Sequence, residues 1–215
     1  MTVSNSNLYT QAYVNTGDGQ PVILLNGLFG NVHIWKPLVE ALKNSFQVII
    51  PRIPLTNFVL DDTNVKQVAQ YLHEFITHHQ LQNVILVGHA VGGQLALMYT
   101  HLYPANIRKL VLVSSGGLME RTSSEVDTTH YIQSLLEEPE QRFYLKEFAN
   151  EAITEELTQT SKQFRVSTFL NKIDHPVLLV WGLQDPISPP ESALHFNDLL
   201  GNSEIKFIED CGHVP

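Results

Sequence analysis

Several stretches of this chain carry the residue types from which acyl chemistry is built, and each follows an apolar run. Val84-Ile85-Leu86-Val87 passes through Gly88-His89 to Ala90, and Val91-Gly92-Gly93 then opens a segment of helical spacing. A strand that enters a helix with almost no loop puts residue 90 at the tip of a strained turn. Glycines at 88 and 92 keep side chains out of that turn. The free N–H groups and positive end of the helix point at the same spot, so negative charge developing there is stabilised. Asn26-Gly27-Leu28-Phe29-Gly30 follows an earlier run, and the N–H groups of Leu28 and Val91 make a two-donor oxyanion hole. Trp181-Gly182-Leu183-Gln184-Asp185-Pro186 delivers a carboxylate and Cys211-Gly212-His213 an imidazole. In that order, Asp185 would hold the tautomer of His213 and His213 would serve as general base. Each feature alone is weak: a glycine-rich turn can serve packing only, and a lone Asp or His in a loop usually does nothing. Together they point to nucleophilic hydrolysis, with one discordant residue at the tip itself, because the methyl group of Ala90 cannot attack a carbonyl.

The elements that must position these residues are legible as alternating patterns. Tyr9 to Asn15 reads as a strand, followed by a turn at Gly17-Asp18-Gly19. Val22–Leu25, Phe46–Ile50, Val84–Val87, Leu110–Val113, Val177–Trp181 and Ile205–Ile208 are apolar runs of strand length. Val32–Leu42, Asn64–His79, Val91–Tyr103 and Glu191–Leu200 have helical spacing. Apolar strands separated by helices imply a mostly parallel, doubly wound α/β sheet covered on both faces, with its ligands at the carboxyl ends of the strands. From Gly116 to about Asp174 there is no strand pattern, only helical stretches at Ile132–Glu138, Phe143–Phe148 and Glu156–Phe164. That excursion is too long for an ordinary connection. It reads as a helical cap, with a single irregular crossover as the alternative. The expected organisation is a core of residues 1–115 and 176–215 and a cap of residues 116–175.

The totals exclude several classes. A chain of 215 residues, 43% hydrophobic and 16% charged, is long enough for one domain with a large core. Its net charge of −9 argues against nucleic-acid or anionic-membrane partners. No apolar stretch approaches the about 18 residues that span a bilayer, and the N-terminal stretch does not resemble a signal peptide. A single cysteine, Cys211, excludes an internal disulfide. The expectation is a cytoplasmic protein acting on a small molecule, with no cofactor and no metal.

The four motifs resemble those of the α/β-hydrolase superfamily over nearly the whole chain. NGLFG stands for its oxyanion loop, GHAVGG for its G-x-S-x-G-G nucleophile elbow, WGLQDPISP for its acid loop and CGHVP for its histidine loop. The resemblance implies Leu28 and Val91 as oxyanion donors, Asp185 as acid, His213 as base and residue 90 as nucleophile, and it says little about substrate. Phe29, His33 and Trp35 are candidates for the pocket wall, with plain packing as the alternative. Three departures matter. Ala90 replaces the serine whose loss alone lowers kcat about a million-fold in a serine hydrolase. Asn26 replaces the usual histidine of the oxyanion loop. The sequence stops two residues after His213, before the closing helix that the family normally adds. Either it is truncated there or a partner covers that face, and the expectation is exposed apolar surface near the last strands with homo-oligomerisation or poor solubility.

Three readings follow. In the first, a serine hydrolase for a small ester, or another acyl or C–C bond, is disarmed by alanine at position 90. In the second, alanine belongs there, as in relatives resembling the aminoacrylate hydrolase of pyrimidine breakdown, and Asp185 and His213 activate water. In the third, the pocket binds a ligand without turnover. Dehalogenase and epoxide-hydrolase chemistry on this fold needs an aspartate at residue 90. The glycine spacing of GHAVGG does not fit a dinucleotide fingerprint. His73, His78 and His79 are not at ligand spacing on one helix face and read as solvated, and His101 reads as a helix-end residue. Asp174 precedes its strand, Asp198 falls within a helix, and the strand ending at Ser114-Ser115 carries no acid.

Overall fold

Burial alternates along the apolar runs as a pleated sheet with two covered faces requires. In the run Gln20–Leu25, Val22 and Leu24 join one buried cluster while Ile23 and Leu25 join another. Successive side chains of a strand point to opposite faces. A computed structural model describes residues 12–27, 32–53, 62–118 and 166–215. Among these, seven strands form one sheet: β1 (Ala12–Thr16), β2 (Gln20–Leu25), β3 (Phe46–Pro51), β4 (Val84–His89), β5 (Ile107–Val113), β6 (Val177–Gly182) and β7 (Ser203–Ile208). Their order is β1-β3-β2-β4-β5-β6-β7. Only the β1–β3 pairing is antiparallel. The expected mostly parallel sheet is therefore present, and β4 lies at its centre, between β2 and β5.

The four described α-helices are α1 (Lys36–Leu42), α2 (Asp62–His78), α3 (Val91–Leu102) and α4 (Pro190–Leu199). The sequence suggests one helix over Val32–Leu42, but its first turn, Val32–Trp35, is 3-10, and the α-helix begins beside Pro37. Proline suits a first helical turn because its missing N–H has no partner there in any case. The apolar stripe of α2 (Val65, Val68, Ala69, Leu72, Phe75 and Ile76) is wholly buried and packs with α3 on the face of Ile23 and Leu86. Helix α2 ends where the chain turns left-handed at Gln80 (φ 52°) and the Leu81 N–H reaches back to the Ile76 carbonyl at 3.0 Å. Trp35 and Val39 cover the other face, over Val22, Leu24, Val48 and Ile50. Trp181 and Phe196 pack together at 5.8 Å between ring centroids and seat α4 beside β6.

Two histidines differ from the solvated reading. The His73 ring stacks on Tyr103 at 3.9 Å and 6°, and its Nδ1 lies 3.4 Å from the Tyr99 hydroxyl. His79 lies half-buried, 4.5 Å from the Phe75 ring. Helical spacing alone does not reveal this, because Tyr99 on α3 and Tyr103 just after it supply the aromatic rings that cover His73. His78 is exposed, and His101 stacks on Phe169 at 4.6 Å. The stretches assigned to the cap at 132–138, 143–148 and 156–164 lie outside the described residues, as does most of 116–175. Its described remainder comprises residues 116–118, the 3-10 turns Val166–Thr168 and Leu170–Lys172, and the chain leading into β6.

Candidate active site

The strand β4 runs straight into α3, and Ala90 is the single residue between them. Its backbone stands at φ 51°, ψ −114°, a conformation that costs a residue bearing a β-carbon about 1–3 kcal/mol. The tip is held by hydrogen bonds on both sides: the Ala90 N–H donates to the Val113 carbonyl (3.0 Å), and the Ala90 carbonyl accepts from Gly93 N–H (3.1 Å). The flanking glycines are required by contact. A β-carbon on Gly88 would stand 2.6 Å from Gly93 Cα, and one on Gly92 would stand 2.6 Å from the Asn26 carbonyl oxygen. The end of β2 therefore presses against the first turn of α3. A β-carbon on Gly27 would lie 3.1 Å from the Ala90 methyl and 3.2 Å from His89 Nδ1, so the Asn26–Gly27 corner sits against the tip.

Asp185 and His213 meet as a buried pair. The His213 Nδ1 lies 2.9 Å from Asp185 Oδ2 and 3.1 Å from Oδ1. Asp185 is 4% exposed and His213 8%. The Asp185 Oδ1 also accepts from the main-chain N–H groups of Ile187 (2.8 Å) and Ser188 (2.9 Å), a turn that aspartate forms with the two residues beyond its neighbour. Burial alone raises this carboxyl. The hydrogen bond and charge of His213, with the Ser188 and Ile187 N–H groups, outweigh burial and hold it below the ordinary carboxylate range. Asp185 is thus ionised and able to accept a hydrogen bond from the His213 Nδ1–H.

Hydrogen bonds to main-chain carbonyls tie the three loops together. Leu183 and Gln184 donate to the carbonyls of Ile208 and Cys211 at 3.0 and 2.9 Å, joining the acid loop to the histidine loop. The Ser188 hydroxyl donates to the Ser115 carbonyl (2.9 Å), and the Trp181 indole N–H donates to the Ser188 carbonyl (3.0 Å). Gly116 N–H in turn reaches the Ala90 carbonyl at 3.4 Å. The Ser114-Ser115 corner, which carries no acid, is therefore the bridge between the acid loop and the tip. Asp174 lies before β6, at the opposite end of the strands, and Asp198 lies in α4.

The remaining candidates separate. Val91 is the first residue of α3, adjacent to the tip. Trp35 is buried, donates its indole N–H to Asn26 Oδ1, and stands edge-on to the His89 ring at 6.4 Å. Asn26 thus accepts the hydrogen bond that secures its loop. His33 is exposed. Leu28 and Phe29 lie outside the described residues. Sequence reasoning missed His89, which is 3% exposed and has its Nε2 2.7 Å from the His213 carbonyl oxygen. Its position next to the tip was the available signal. Among the described residues, no three His, Cys, Asp or Glu side chains are placed to hold a metal, and no helix is long and apolar enough to cross a membrane.

Residues 20–167 and 130–215 match the family described as the alpha/beta hydrolase fold. The chain belongs to that family. Among curated members it is similar to the human monoacylglycerol lipase ABHD6, 23% identical over 92% of this chain and 71% of that one. It is also similar to the uncharacterized hydrolase YugF of Bacillus subtilis, 24% identical over 99% and 90%. Among solved structures, an alpha/beta hydrolase enzyme from a lagoon-sediment metagenome, MGS-MChE2, superposes with a TM-score of 0.74 at 26% identity, covering 94% of this chain and 85% of that one. This α/β-hydrolase thus has lipase-type relatives, and small molecules are the substrates of its family.

Proposed function

We propose that this α/β-hydrolase carries the acid–base apparatus of a Ser-His-Asp esterase or related acyl or C–C hydrolase, with Ala90 at the position of the nucleophile. The observation that carries this reading is the pairing of a strained tip at φ 51° with an assembled, buried Asp185–His213 pair. Asp185 fixes the His213 proton on Nδ1, leaving Nε2 as the atom that would take a proton from a hydroxyl at residue 90. Val91 N–H, at the start of α3, and Leu28 N–H would receive the oxyanion. In a serine form, the hydroxyl adds to the substrate carbonyl while its proton passes to His213. The oxyanion then collapses and expels the leaving group, which takes that proton, and water releases the acyl group by the same route in reverse. With a methyl group at residue 90 the first bond cannot form.

The deciding experiment is Ala90→Ser assayed on a short-chain p-nitrophenyl ester, with the double variant Ala90→Ser/His213→Ala as control. Hydrolysis that depends on His213 is expected. A folded Ala90→Ser variant with no His213-dependent turnover of esters or of C–C substrates rejects the reading.

The retained Asp185–His213 pair beside an alanine also supports a second reading, in which His213 activates water for attack on a labile substrate. That reading requires turnover by the Ala90 chain itself and its loss on His213→Ala. Residues 116–175 as a cap that sets substrate shape, and a cytoplasmic site of action, belong to the same proposal.

A further inference from the structure

His89 is a buried titratable side chain to which the acid–base pair assigns no task. Its Nε2 lies 2.7 Å from the main-chain oxygen of His213. A carbonyl only accepts, so Nε2 carries the proton and donates it. Its Nδ1 is buried, has no hydrogen-bond partner among the described residues and faces the Gly27 corner. An unpaired buried ring nitrogen is a cost that leucine or phenylalanine would avoid. The imidazole is therefore poorly explained as filler. The ring is wedged between its neighbours, 4.8 Å from the His213 ring and 6.4 Å from Trp35.

A carbonyl oxygen and the Cα atom attached to its carbon belong to one planar peptide unit. Holding the oxygen of residue 213 therefore restricts the direction in which its side chain leaves the backbone. Resting on the hydrolase reading above, we propose that His89 is a positioning residue: its Nε2–H clamps the His213 carbonyl, so that the His213 imidazole is fixed at its base by His89 and at its Nδ1 by Asp185. This task needs a neutral ring, because a second imidazolium beside His213 would oppose the protonation that a general base must undergo. Burial, then the adjacent His213, disfavour charge on His89, while the His213 carbonyl and Asp185 favour it. The balance brings its pKa down to about 4.

The test begins on the unaltered chain, by nitrogen-detected NMR of its histidine rings. At pH 7, His89 is expected to show a protonated Nε2 and a bare Nδ1. A proton on Nδ1, or a charged ring, overturns the proposal. Two variants follow. His89→Gln keeps a side-chain N–H near the place of Nε2, and His89→Phe keeps a ring without a donor. With circular dichroism unchanged, the deshielded Nδ1 proton of His213 is expected to broaden or vanish in the Phe variant and to persist in the Gln variant. An unchanged His213 signal and titration in His89→Phe overturns the proposal. If His89→Phe does not fold, the tautomer measurement and the Gln variant still decide. These readings need no turnover, so they stand if Ala90→Ser proves inactive and the hydrolase reading falls. If it is active, adding His89→Phe should lower kcat about tenfold or more with little change in KM, as misplacement of a catalytic group does, and His89→Gln should restore most of it.

Discussion

Ala90 occupies a backbone conformation that its own side chain does not need. A methyl group gains nothing from φ 51°, ψ −114°, and the strain of about 1–3 kcal/mol is characteristic of backbone held for chemistry. Ala90→Gly should therefore raise stability by about 1 kcal/mol in a denaturant titration, because relief of strain exceeds the extra chain entropy of glycine. No gain, or a loss, would show that the tip is not strained. Asp185 belongs to the same scale. In the Ala90→Ser background, Asp185→Asn should lower kcat by about four orders of magnitude while KM changes little, because the amide NH2 donates to Nδ1 and sets the wrong tautomer, and the amide has no charge to stabilise the imidazolium. A mild effect would mean that another group orients His213.

The joints between elements decide whether those residues meet. The first turn of α3 lies so close to the end of β2 that Gly92 faces the Leu25 and Asn26 carbonyls with no room for a β-carbon. Those obstacles are main chain, which cannot swing aside. Gly92→Ala should destabilise the fold by about 1–3 kcal/mol, the usual cost of overpacking, and should remove the activity of an Ala90→Ser form through displacement of the tip. A stability unchanged within error would contradict the contact. The acid loop is a second joint. Its bond from Ser188 to the Ser115 carbonyl crosses from the end of β6 to the end of β5, and no pattern within either segment announces it.

At the scale of the whole molecule, the site histidine and carboxylate make stability depend on pH. His89 has an ordinary value of 6.5 that folding lowers to about 4, so below pH 6.5 the unfolded chain binds a proton that the folded chain does not. The stability this residue contributes is complete above pH 6.5, falls as pH drops toward about 4, and changes by about 3 kcal/mol across that window. The Asp185 carboxyl is held below its ordinary 3.8. Its contribution is present above that value and disappears as pH falls through the folded one. Chemical denaturation between pH 7 and 4 should show the first loss, and His89→Gln should flatten it. A parallel pH dependence in the variant would assign the loss to other groups.

Much of this architecture was legible from one dimension. Apolar runs of strand length separated by helical stripes specify a parallel sheet, because only burial on both faces accounts for strands without polar alternation. The glycines at 88 and 92, and the order of Ala90, Asp185 and His213, placed the candidate site at one edge of that sheet, because parallel strands deliver their following loops to a common side. Pattern could not supply what depends on contacts between distant segments. The partial cover of His73 comes from Tyr99 on α3 and Tyr103 just beyond its end, the bridge from Ser115 to Ser188 from neighbouring strand ends, and the hold of His89 on His213 from a contact across 124 positions. Local sequence determines which face an element buries. Which atoms then lie within about 3 Å, and so which buried polar groups find partners, is decided only when the sheet brings those faces and loops together.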